Sequence, residues 1–237
     1  MGYPKVRSHV LTALALLGLA LCGAGFSHAA ARGAALPEQS PDGLRLVQNT
    51  QMAVVYMKDG ADFSSYDKVA ILDCFVAFRK DWERDQNQDD PFRVRASDIT
   101  RIKAEVADEF KKVFNKELTA KGETVVATAG ADVLLLRPAI INLDIAAPDT
   151  KEPDAKSFSA SGGQMTLFLE IYDSVSSELL ARVMDPEAAT DFGSMMVRNE
   201  VTNQADADRI MKKWADTIGS YLQHARSGSS AKPSKGN

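Results

Sequence analysis

The chain has 237 residues, 45% hydrophobic and 25% charged, with 28 Lys and Arg against 32 Asp and Glu. Those proportions are ordinary for a globular protein of one or two domains. A net charge of −4 gives no electrostatic case for binding nucleic acid or anionic lipid.

The first residues differ from the rest. Lys5 and Arg7 precede an apolar stretch over residues 10–26, and Ser27-His28-Ala29 then offers small residues at the two positions a signal peptidase reads. This order predicts a secretory signal over residues 1–29. The apolar run is short for a membrane span, which favours cleavage over a retained anchor. Cys22 suggests a second way of processing, by lipidation. Leu19 and Ala20 suit a lipoprotein signal, but Leu21 stands where Gly, Ala or Ser is wanted. Cleavage after Ala29 takes two basic residues and no acid, leaving a mature net charge of −6. It also leaves His224 as the one histidine and Cys74 as the one thiol, so no internal disulfide is expected.

Residues 30–43 hold small residues and two prolines and read as a flexible linker without a core. The folded part is expected over residues 44–226, with a disordered tail over residues 227–237. Residues 52–58 form a short strand candidate followed by an Asp-Gly-Ala-Asp turn. Residues 66–78 are apolar on both faces and predict a central strand, with Cys74 a small buried hydrophobe in it. Residues 79–95 carry charge of both signs and predict the longest loop of the domain.

Ser97 can cap a helix starting at Asp98. Ile99, Ile102, Val106, Phe110, Val113, Phe114 and Leu118 fall on one helical stripe, and Gly122 is a natural stop. A short strand at residues 124–127 and a longer one at 132–145 follow. Pro138 predicts a bulge or an edge position in the longer strand. Polar residues 148–160 then lead into a hairpin. Met165, Leu167, Leu169 and Ile171 point one way, and Thr166, Phe168, Glu170 and Tyr172 the other. Residues 173–177 turn the chain and residues 179–184 return as the second strand. After a loop over residues 185–202, Ala207, Ile210, Met211, Trp214, Ile218, Tyr221, Leu222 and Ala225 mark a second amphipathic helix. The elements predict a single two-layer α+β domain, a mixed and mainly antiparallel sheet covered by two helices.

Few catalytic parts are present. His224 lies at the end of the last helix, where a C-terminal dipole favours its cation. A zinc site needs three or four Cys or His ligands, more than the mature chain holds. There is no P-loop and no Gly-x-Gly-x-x-Gly, and Gly162-Gly163 reads as a flexible lead-in to the strand. The run Asp85-Gln86-Asn87-Gln88-Asp89-Asp90 opens like a calcium loop. Asp90 then replaces the required Gly, and Ala96 stands at the bidentate Glu position. Asp73, Asp144 and Asp173 lie in or beside strands, and paired carboxylates could run a hydrolysis. The expectation is therefore no catalytic, cofactor-binding or metal residue and no cofactor.

Several runs resemble one family. They are V-Y-M-K-D-G-A-D-F-S-S-Y-D-K-V from Val55, F-R-K-D-W from Phe78, S-G-G-Q-M-T-L-F-L-E-I-Y-D-S from Ser161, L-L-A-R-V-M-D from Leu179, and Trp214-Ala215. Together they resemble the bacterial envelope family known as domain of unknown function 3313, over nearly all of the mature domain. The resemblance implies an exported protein, often a lipoprotein, without accepted catalytic residues. The box before Cys22 departs from that habit. The combined expectation is a non-enzymatic protein of the periplasm or outer membrane that binds an envelope protein or cell-wall component. The competing class is a carboxylate-dependent hydrolase or a calcium-dependent module.

Overall fold

The computed structural model describes residues 36–88, 93–145, 157–159, 163–188, 196–198 and 200–227. The signal-like segment, Cys22, Asp89, Asp90, Gly162 and the tail beyond Ser227 lie outside the described residues. Among the described residues, ten strands and three helices follow in chain order: β1 (Arg45–Val47), β2 (Val54–Met57), β3 (Lys68–Ile71), β4 (Phe75–Phe78), α1 (Trp82–Gln86), α2 (Ala96–Ala120), β5 (Thr124–Val126), β6 (Val133–Asp144), β7 (Ser157–Ser159), β8 (Gln164–Asp173), β9 (Leu179–Ala188), β10 (Met196–Arg198) and α3 (Glu200–Arg226). Among the described residues, eight strands form one open sheet in the order β1-β2-β9-β8-β6-β3-β5, with β4 also on β6. The β1 to β6 side pairs antiparallel, whereas β3, β4 and β5 run parallel to β6 or to each other. β7 and β10 form a separate antiparallel pair inside stretches expected to be loop.

The hairpin stands as its alternation predicts. Met165, Leu167, Leu169 and Ile171 are buried in the main core with Val183 of β9. Asp173 closes the turn by accepting from the Val175 and Ser176 amides at 3.0 and 2.6 Å. β9 runs on to Ala188 because β8 continues opposite it, pairing Leu167 with Asp185 and Gln164 with Ala188.

The expected central strand over residues 66–78 is two strands: β3, second from the edge between β6 and β5, and β4, paired with β6. Leu72 N–H donates to the Leu136 carbonyl at 2.9 Å. In a parallel ladder the next rung runs from the residue-138 N–H back to the Leu72 carbonyl, and Pro138 has no N–H to give. β3 therefore stops, and β4 resumes with Phe75 opposite Ala139. Pro138 thus sits inside the sheet, opposite Leu169. The bulge lies later, between Ile141 and Asp144, where Asn142 has φ +52°.

Helix α2 starts at Ala96, with Arg95 as the capping residue in place of Ser97. Asp98 reaches back to accept the Arg95 N–H at 3.0 Å, which fixes this earlier start. Its stripe packs on the sheet with Phe110, Phe114 and Leu118 fully buried, and Phe110 stacks on Phe114 at 3.9 Å. Helix α3 lies beside α2 on the same face. Glu117 meets Lys212, Lys121 meets Asp216 and Glu123 meets Arg226, so the two helices run in the same direction. Ile210, Met211, Trp214, Ile218 and Leu222 are buried as predicted, whereas Ala225 is exposed. Trp214 donates its indole N–H to Asp185 at 2.8 Å, and Asp185 also accepts the Ala53 N–H at 2.7 Å.

Two stretches fold that read as unstructured. In the expected linker, Ser40 is buried and accepts the Leu44 N–H at 3.0 Å, and Arg182 holds Asp42. Tyr56 donates its hydroxyl to the Pro37 carbonyl at 2.9 Å, drawing this segment onto the sheet. In the expected loop over residues 79–95, Trp82 is buried, stacks on Phe78 at 3.9 Å and opens α1. The Asn87 side chain brackets Val94, donating to its carbonyl and accepting its N–H.

Candidate functional site

At the C-terminal end of β6 the sheet parts from the helices and leaves a cleft of about 420 Å³. After the bulge near Asn142 the ladder resumes with Asp144 opposite Gln164, where β8 begins. Gly163 makes the approach possible. Its φ is +99°, and a Cβ there would stand 2.2 Å from the Asp144 carbonyl oxygen. Only glycine tolerates both conditions. Gly163 is therefore a required close approach rather than a flexible lead-in.

The floor is apolar: Ile102 and Val106 from α2, Leu143 and Met165 from the sheet, Ala207 and Ile210 from α3. The mouth is charged. Among the described lining residues, carboxylates outnumber cations five to two. Lys112 donates to both oxygens of Glu109 at 2.9 and 3.0 Å, and Arg101 to both oxygens of Glu105 at 3.1 and 3.0 Å. Arg79 bridges Asp144 and Asp85 at 2.7 and 2.6 Å. Just beyond the lining, burial and the neighbouring Glu109 carboxylate raise the Asp208 carboxyl above its ordinary value. A helix dipole favours acids only in the first turn. Glu105, Asp108 and Glu109 lie beyond the first turn of α2, and Asp206 and Asp208 beyond that of α3. Glu105, Glu109 and Asp206 each pair instead with a cation three or four residues away on the same helix, Arg101, Lys112 and Arg209.

The carboxylates proposed for hydrolysis are not brought together. Asp173 lies opposite Leu134, and Asp144 is ten residues further along β6, about 33 Å at strand rise. Asp73 is exposed and meets Lys111 at 2.8 Å. Asp173 is held at about 2, first by the Ser176 N–H and next by the Tyr66 hydroxyl. Tyr66 is in turn pushed up to about 12, mainly by burial. Cys74 is buried between β3 and β4, and that burial raises its thiol to about 12, so the thiolate is not accessible at neutral pH. His224 is exposed, with Nδ1 2.6 Å from the Ser220 carbonyl. Asp85 and Gln86 belong to α1, and Asp85 serves Arg79. Among the described residues no group of three or more His, Cys, Asp or Glu is placed to hold a metal ion.

Of the residues weighed for chemistry in the sequence, Asp144 and Gly163 line the cleft. Ile102 and Val106 read as ordinary core stripe, and Glu105 and Asp108 as solvated polar face. Neither helix carries more acids than bases, so nothing local to either one marks the mouth.

The fold and cleft define an open-sheet α+β domain with a helix-flanked cavity at one end of the sheet. The chain belongs to the family described as protein of unknown function (DUF3313), which matches residues 40–218. No curated protein matches it. Several solved structures share parts of its chain path at low identity. The PelC dodecamer from Paraburkholderia phytofirmans is 10% identical, with a TM-score of 0.36, over 69% of this chain and 96% of that one. Protein XCC0632 from Xanthomonas campestris, of family DUF330, is 8% identical with a TM-score of 0.41, over 73% and 93%. A minor lipoprotein from Acinetobacter baumannii is 9% identical with a TM-score of 0.31, over 66% and 94%.

Proposed function

We propose that this chain is an exported, non-enzymatic protein of the bacterial cell envelope that binds another envelope component in the α2–α3 cleft. The observation that carries the binding role is the cleft itself: an apolar floor under a charged mouth, built on rigid helices and strands. The signal-like N-terminus supports export. The dispersal of Asp73, Asp144 and Asp173 into separate ion pairs and a turn favours binding over hydrolysis.

A photo-crosslinking residue at Gln204, on the cleft, tests this reading against one at Val175 on the hairpin turn. In envelope extract, Gln204 should capture a component that Val175 does not, and Ala207→Trp should abolish the capture by filling the floor. Equal capture from both positions overturns the binding site. A hydrolytic activity lost in Asp144→Asn overturns the non-enzymatic reading. Fractionation with intact-mass measurement tests export: the processed chain should begin at Ala30, or at an acylated Cys22. A cytoplasmic chain retaining Met1 overturns it.

A further inference from the structure

We propose that the α2–α3 cleft accepts a single-chain amphiphile, its apolar chain on the floor and a positively charged head at the mouth; this rests on the binding role proposed above. Three observations converge on this ligand class.

The first is size. About 420 Å³ is near the lower end of small-molecule clefts, which run from roughly 300 to 1,000 Å³. One slender chain suits that volume better than a two-chain lipid. The second is the floor. Met165 and Met211 lie beside Ile102, Val106 and Ile210, and Met is the apolar side chain that best adapts to a flexible partner. A rigid aromatic ligand would call for flat walls, and no aromatic side chain is among the described lining residues.

The third is charge. The mouth carries more carboxylates than cations, and these acids sit too far along both helices for the helix dipoles to explain them. Lys112 serves Glu109, Arg101 serves Glu105, Arg79 serves Asp144 and Arg209 serves Asp206, so the excess lies at Asp108 and the adjoining Asp208. Asp208 lies against Glu109, two acidic side chains side by side between α2 and α3. The protein tolerates a local negative potential at the mouth, and a cationic head is the group that such a potential attracts. An anionic head would meet the same field as a repulsion.

The test uses the processed chain purified from the envelope. Dodecyltrimethylammonium and dodecyl sulfate share a chain and differ in head charge. Each is titrated below its micelle concentration, and binding is read by calorimetry. The cationic probe should saturate one site and bind at least about tenfold more tightly than the anionic one. Ala207→Trp should abolish that site. Gln204→Trp, at an exposed position on the mouth, should weaken it without touching the floor, which covers the case in which the first variant folds poorly. Glu105→Lys should weaken the cationic probe by roughly fivefold and improve the anionic one.

If both probes bind equally and Ala207→Trp abolishes both, the charge class is overturned while the cleft stands as a binding site. If no probe binds in the cleft while Gln204 still captures an envelope component, the amphiphile is overturned and the binding role survives. If binding is unchanged in both tryptophan variants, the probe lies elsewhere and the proposal fails.

Discussion

Truncating Trp214 tests the junction between helix and sheet. Its ring is fully buried at the centre of the α3 stripe, with Met211 and Ile218 a turn away on either side. Replacing a buried Trp by Ala costs about 3–5 kcal/mol for lost packing and the cavity left behind. The indole N–H also supplies one of two hydrogen bonds to Asp185, which is 5% exposed. Leaving a buried acceptor unpaired adds about 1–3 kcal/mol. Trp214→Ala should therefore remove at least about 4 kcal/mol from a domain whose whole stability is about 5–15 kcal/mol. With a urea slope of about 2 kcal/mol/M, the midpoint falls by about 2 M or more. Trp214→Phe isolates the polar part. It keeps most of the packing, and its midpoint should fall by about 0.5–1.5 M from the unpaired carboxylate alone. Adding Asp185→Asn to Trp214→Phe should cost less than Asp185→Asn does in the wild type, because the two side chains share one hydrogen bond. Urea unfolding followed by far-UV circular dichroism reads the four variants against the wild type. If Trp214→Ala keeps the wild-type midpoint and loses only binding, Trp214 is an exposed anchor and α3 is an interface rather than a cover.

Three further outcomes follow from the structure. Gly163→Ala places a Cβ 2.2 Å from the Asp144 carbonyl oxygen at φ +99°, so it should lower the urea midpoint and disturb cleft binding together. Glu123 is fully buried and meets Arg226 at 2.7 Å, so Arg226→Ala should cost about 3–5 kcal/mol, while the paired change Glu123→Gln with Arg226→Met should recover much of it. Asp173 is depressed from 3.8 to about 2. Its contribution to stability is thus fully present above 3.8 and lost as pH falls through about 2. Urea midpoints measured from pH 5 to pH 2 should show a fall that flattens in Asp173→Asn, and an unchanged slope in that variant would show that other carboxylates carry the acid sensitivity.

Much of the fold was legible because it rests on local period. The stripes of α2 and α3 recur at helical spacing, and Met165 to Ile171 alternate, so each element announces its buried face without knowing its partner. The hairpin was legible for the same reason: its two strands are adjacent in sequence, and Asp173 caps the turn between them. The family was legible too, and three of the five runs that resemble it lie in the hairpin or in α3.

What the tertiary structure decided depends on residues far apart in the chain. Residues 66–78 read as one strand, and only Pro138, more than sixty positions later, shows why the ladder breaks at Leu72. Trp82 sits in a charged stretch and reads as loop, yet it is buried because Phe78 and the Ile145 carbonyl meet it. Residues 36–43 look like a linker until Arg182 and Tyr56 supply partners for Asp42 and Pro37. The cleft is the extreme case. It exists where two helices, a bulge and a glycine meet, and each contributor taken alone has an ordinary structural role. A sequence states the preferences of each segment, whereas a cavity is the space left between segments, so only their packing determines it.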